Sequence, residues 1–301
     1  MHYLNMKVEK IFGIALVVTC GLSATLKGQN IYVGNNVGNG DGIGEYGTDG
    51  STVNASLISG LDEPAALAIS GNDIFVVNRE SGTIGEYTSS GTTVNGSLIS
   101  GLSDPWGIAI SGNNLFVAND GTGTVAEYTT SGTPVNGSLV SGWLQWPTGV
   151  AISGNNLFVA DDDLGIIGEY GLDGSAVNAI LISGLANPWA IAISGNDLFV
   201  ANYGNGTVGE YTTSGSTVNA SLISGLQGPA GIAVSGNRLF VASLGTGTVG
   251  EYTTSGTTIN ASLISGVSGV EGIAIGPVPE PSAVALAGLG AAAFWLWRRR
   301  Q

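Results

Sequence analysis

The side chains best suited to chemistry in this chain stand at matching places of a repeat. Glu63, Asp104, Trp106, Trp146, Asn187, Trp189 and Glu271 each lie next to Pro64, Pro105, Pro147, Pro188 or Val270, just ahead of a short Gly/Ala-rich apolar run. Indole faces stack on the apolar C–H faces of sugars while carboxylates and amides bond the hydroxyls, so this mixture suits a saccharide. Carboxylates and carbonyls also suit Ca²⁺. Asp161, Asp162 and Asp163 add three consecutive carboxylates, a weaker metal candidate because they lack the ligand spacing of a calcium loop. The same positions also fit solvated turns around a partial hydrophobic plug.

The rest of the inventory narrows the chemistry. The single His is His2, the single Cys is Cys20, and the lysines are Lys7, Lys10 and Lys27. Catalytic triads, thiolates, Schiff bases and histidine-ligated metals therefore have no residues to use between positions 31 and 276. Carboxylate chemistry is what remains, alone or with Ca²⁺, and no residue is assigned a catalytic role. No cofactor is expected on the non-enzymatic reading.

The candidate residues recur because the chain does. A Gly-Glu-Tyr triplet, Ala-Glu-Tyr once, places glutamates at Glu45, Glu86, Glu127, Glu169, Glu210 and Glu251, 41 or 42 residues apart. A period near 40 means a propeller or a solenoid, and the content of the unit decides between them. Each unit holds four short runs rich in β-branched and aromatic residues, separated by Gly, Asn and Ser, with no helical period. Six such units predict an all-β, six-bladed propeller of four-stranded antiparallel blades over residues 31–276. The body opens on a second-strand sequence, Ile31-Tyr32-Val33, and closes on a first-strand one, Gly272 to Ile275, so one blade is expected to join both ends. That closure leaves no open edge in the ring.

Comparing the units with one another separates scaffold from site. Features present in every unit must serve the blade, which assigns the six Gly-Glu-Tyr triplets a structural role. The recurrent Asn-x-Ser/Thr at Asn54, Asn95, Asn136, Asn219 and Asn260 is likewise read as a fourth-strand feature rather than a glycosylation set. Divergence concentrates in the loop before each first strand and in the loop between the second and third strands. Both are expected on one face of the disc, around the channel mouth.

Composition agrees with this scaffold. Glycine supplies 50 of 301 residues and charged residues only 10 %, yet 43 % of the chain is apolar, enough for a large core. Residues 31–276 carry 20 acidic side chains against Arg79 and Arg238, a net −18. A body so acidic repels phosphate backbones, which argues against a nucleic-acid partner.

Both ends read as address labels. Residues 1–24, with Lys7 and Lys10 ahead of an apolar run to Cys20, read as a secretory signal peptide, followed by a short linker at 25–30. Residues 277–301 hold Val278-Pro279-Glu280-Pro281-Ser282, an apolar run at 283–297 expected to form a membrane helix, and Arg298 to Arg300. This tripartite tail closely resembles the PEP-CTERM sorting segment of exopolysaccharide-producing Gram-negative bacteria. The resemblance implies recognition by an exosortase-type enzyme and delivery to the cell surface or extracellular matrix after transient membrane anchoring.

The repeat pattern Pro-x-Gly-Ile-Ala-x, Leu-Phe-Val-Ala-Asn, Gly-Thr-Val-x-Glu-Tyr resembles NHL-repeat propellers in all six units. The function expected is a non-catalytic binding or structural module of the envelope or matrix, with a polysaccharide or an envelope protein as partner. The alternative is a Ca²⁺-dependent hydrolase. It rests on similarity to gluconolactonase-type propellers, in which Glu, Asn and Asp hold a divalent metal in the channel. Glu63, Asp104 and Asn187 offer those residue types, but all three occupy one turn position and match no local motif.

Overall fold

The structure is a computed structural model that describes residues 28–36 and 41–277. The expected signal peptide, sorting motif and membrane helix lie outside those residues. Among the described residues no helix is long and apolar enough to cross a membrane.

Six separate four-stranded antiparallel sheets form six blades. Blade I joins β24 (Val270–Pro277) to β1 (Gln29–Asn35), β2 (Gly42–Gly47) and β3 (Thr52–Ser59). Blade II runs from β4 (Pro64–Ser70) to β7 (Thr93–Ser100), and blade III from β8 (Pro105–Ser111) to β11 (Pro134–Val140). Blade IV runs from β12 (Pro147–Ser153) to β15 (Ala176–Ser183), and blade V from β16 (Pro188–Ser194) to β19 (Thr217–Ile223). Blade VI runs from β20 (Pro229–Ser235) to β23 (Thr258–Ser265). The expected clasp is present: β24 pairs antiparallel with β1 from Gln29 opposite Pro277 to Asn35 opposite Val270. Ser235 Oγ donates to Gln29 Oε1 at 2.7 Å, tying the start of β1 to blade VI as well.

The core lies between blades rather than within one. Each second strand buries one large ring, Tyr32, Phe75, Phe116, Phe158, Phe199 or Phe240, at no more than 1 % exposure. Burying such a ring is worth roughly 2 kcal/mol each. Six apolar clusters result, each shared by two neighbouring blades; Phe199 and Val208 of blade V, for instance, meet Ile232, Leu239 and Tyr252 of blade VI. The clusters joining blades VI and I and blades I and II are built in the same way, so the apolar seam runs round the whole ring.

Inner strands must be slim where blades converge. A Cβ on Gly149 would stand 2.8 Å from the Trp189 carbonyl oxygen of the next blade, so only glycine lets those two backbones approach. The glycine of Gly-Glu-Tyr has a different cause. In five blades the tyrosine ring two residues on folds back over it, and a Cβ at Gly250 would meet Tyr252 Cε2 at 2.7 Å. Blade III carries Ala126 there, and its Tyr128 is the one member of the six that is only half-buried.

Candidate functional site

The two divergent loops of every blade are stapled together. The carbonyls of Glu63, Asp104, Trp146, Asn187, Gly228 and Gly269 accept the backbone N–H groups of Arg79, Asp120, Asp162, Tyr203, Leu244 and Asn36, at 2.8–3.1 Å. These bonds place both loops on one face, at the mouth of the central channel. They also explain the residues before the prolines. Glu63, Asp104 and Asn187 have φ of 51°, 47° and 50°, and Gly228 and Gly269 have 62° and 61°, so this turn needs left-handed backbone. Asn and Asp tolerate that region and glycine is free in it, whereas glutamate is unusual there. Trp146 escapes the requirement because its loop, Gly142 to Pro147, is one residue longer.

The next residue of each inner strand lines the channel, and large and small side chains alternate round it. Glu271, Trp106 and Trp189 in blades I, III and V separate Ala65, Thr148 and Ala230 in blades II, IV and VI. Thr148 turns its hydroxyl aside to the Pro188 carbonyl at 2.8 Å, and the two indoles meet across the space left, edge to face at 5.0 Å. Tyr203 stacks on Trp189 at 3.9 Å with planes 7° apart, and the Arg79 guanidinium lies 4.6 Å above Trp106. Below them Leu67, Ile108, Val150, Ile191, Ile232 and Ile273 line the same central cavity of about 160 Å³ with aliphatic groups.

Charge at the mouth is nearly all negative. Arg79 bonds the Glu63 carboxylate through Nε at 2.9 Å and its Nη2, and reaches Asp104 Oδ1 at 3.8 Å. Glu271 is 8 % exposed, and its Oε2 has no hydrogen-bond partner among the described residues. Burial pushes its carboxyl up to about 7, with Glu63 and Asp41 adding to the rise and Arg79 opposing it. Asp120 is pushed up to about 6, first by burial and then by Asp104, Asp162 and Asp161, against the pull of Arg79.

The three consecutive aspartates go to three different environments. Asp161 is fully buried and accepts backbone N–H groups from Gln145 at 2.7 Å, Leu164 at 3.0 Å and Trp146 at 3.4 Å. Asp162 lies beside the donors of Asn187 and Trp189; burial raises its carboxyl in spite of them. Asp163 is exposed. Among the described residues no three His, Cys, Asp or Glu side chains converge as a metal ion requires.

Asp161 therefore serves the 142–147 loop, which already supplied the candidate Trp146. That loop holds Trp143 at 70 % exposure and Trp146 at 53 %, beside the buried Leu144. Trp143 was missed as a candidate, although an unpaired tryptophan in the single inserted loop was a visible signal. The alternation of large and small side chains round the channel is also a signal the sequence carries, in every second unit.

The tail and the repeats have recognisable relatives. Residues 277–300 match the PEP-CTERM protein-sorting motif. The chain carries an export and sorting tag. A PEP-CTERM tail marks a protein for export and envelope sorting by exosortase-type machinery, and here it begins where β24 ends. Residues 148–167 of blade IV match the LVIVD repeat. No curated protein matches the chain in sequence.

Solved structures share the fold. A chain of a nidogen/laminin complex aligns over 82 % of this chain and 98 % of its own, with TM-score 0.71 and 16 % identity. A Bacteroides caccae protein of unknown function aligns over the same shares with TM-score 0.65 and 17 % identity. A streptogramin B lyase aligns over 81 % of this chain and 91 % of its own, with TM-score 0.59 and 19 % identity. Identities so low speak for the propeller alone, since one fold hosts many activities.

Proposed function

We propose that this PEP-CTERM propeller is a non-catalytic module of the cell envelope or extracellular matrix that binds a saccharide chain across its channel-mouth face. The observation that carries the reading is the exposed pair Trp143 and Trp146, held on a loop anchored by the buried Asp161 carboxylate. Large apolar rings left in water and fixed in place form a stacking platform prepared before the ligand arrives. Beside it lies a cavity walled by two further indoles. A sorting tail that directs the protein to the envelope supports the same choice of ligand. A glycan array with the full-length chain tests it: binding to saccharides that falls at least tenfold in a Trp143→Ala/Trp146→Ala variant is expected.

A hydrolase or lyase acting through channel carboxylates, with or without Ca²⁺, is the second reading. Glu271 favours it, because a buried carboxyl near neutrality can work as a general acid or base. Turnover of a lactone, ester or glycoside panel that vanishes in Glu271→Gln would overturn the binding reading.

A further inference from the structure

The ligand's charge can be inferred from the mouth. Glu63, Asp104, Asp120, Asp162 and Glu271 surround it, and Arg79, the one basic side chain of this face among the described residues, is already bonded to Glu63 and laid over Trp106. Such a field repels uronic acids and other anionic sugars and attracts cations. A bare metal ion is poorly served, because no three carboxylates converge among the described residues. Glu271 lines the cavity more than nine-tenths buried with Oε2 unpartnered, and such a group calls for a donor from outside the chain. The cavity, about 160 Å³, is close to the roughly 150 Å³ that takes a benzene molecule, so it admits the amine-bearing edge of a sugar while the rest of the ligand stays at the mouth.

We propose that the channel mouth recognises a protonated amino sugar, its ammonium group seated against Glu271 and its ring packed on Trp106 and Trp189. The ammonium satisfies the buried carboxylate, and the remaining apolar surface of the two indoles offers contact to the C–H groups of the ring. This rests on the saccharide reading above and names the sugar class.

Titration calorimetry of the full-length chain at pH 7 tests it with three probes: a glucosamine dimer, its N-acetylated counterpart, and cadaverine as an amine without a ring. The glucosamine dimer is expected to bind at least tenfold more tightly than either other probe, to lose at least tenfold in Glu271→Gln, and to lose two- to fivefold in Asp120→Asn. Equal affinity for the N-acetylated dimer overturns the charge assignment, and equal affinity for cadaverine overturns the sugar assignment. Unchanged affinity in the Glu271→Gln variant, shown by its melting curve to be folded, overturns the placement. If none of the three binds while neutral glycans on the array still depend on Trp143 and Trp146, this inference fails and the saccharide reading stands. If no glycan binds at all, both fall.

Discussion

Glu271 is a buried carboxyl at the channel mouth whose Oε2 has no hydrogen-bond partner among the described residues. Its folded carboxyl titrates near 7 against an unfolded value near 4.5, so the native state holds the proton more tightly. Stability from this group is therefore fully present below about pH 4.5 and is lost as pH rises through 7, by roughly 3 kcal/mol. Asp120 adds a slope of the same sign between about pH 4 and 6. Urea unfolding at pH 5, 6, 7 and 8 should show stability falling with pH, and Glu271→Gln should flatten the upper part of that fall and be the more stable protein at pH 8. An unaltered slope in the variant would mean that the carboxyl is not buried as described. Asp161 has a structural task, accepting the backbone N–H groups of Gln145 and Leu164. Asp161→Ala should cost about 2–3 kcal/mol by leaving those N–H groups unpaired, and iodide should then quench Trp143 and Trp146 more readily.

At the scale of the blade, the repeats act as internal controls. Asn114 and Asn156 donate to the glutamates of their own blades, Glu127 and Glu169, at 2.7 and 2.6 Å, and Arg238 bonds Glu251. Blades II and V place Asp73 and Asp197 at the same station, and Glu86 and Glu210 are raised by burial and then by those like charges. Replacing both aspartates by asparagine should copy the arrangement of blades III and IV and raise stability by about 0.5–1 kcal/mol per blade, read from thermal midpoints at pH 7. The Asn-x-Ser/Thr motif, read as a strand feature, now has its mechanism: Asn54, Asn95, Asn136, Asn219 and Asn260 each accept the N–H two residues on at 3.1 Å, as Asn178 does at 3.2 Å. The outermost strand thereby satisfies one of its own edge donors, which discourages edge-to-edge pairing between molecules. Blade number, strand order and the face of the divergent loops were legible in the sequence because repetition exposes them. What Glu63 and Asp161 do was not, because a left-handed turn and a buried carboxylate depend on which backbone amides the fold brings near.

For the whole molecule, closure is the decisive device. The six clusters between blades form an unbroken ring only while β24 stays paired with β1. Deleting residues 267–276 should thus lower the unfolding midpoint far more than removing ten residues from an exposed loop, and limited proteolysis should then cut blade I first. A truncated chain that melts like the intact one would refute the clasp. β1 and β24 sit at opposite ends of the propeller sequence, so their pairing is the most non-local contact in the ring and should form last. Because β24 is the last strand before the sorting tail, blade I can be completed only after nearly the entire polypeptide has been synthesised. The timing of tail processing relative to that final pairing then decides whether the machinery meets a finished disc or an open arc with a bare β1 edge.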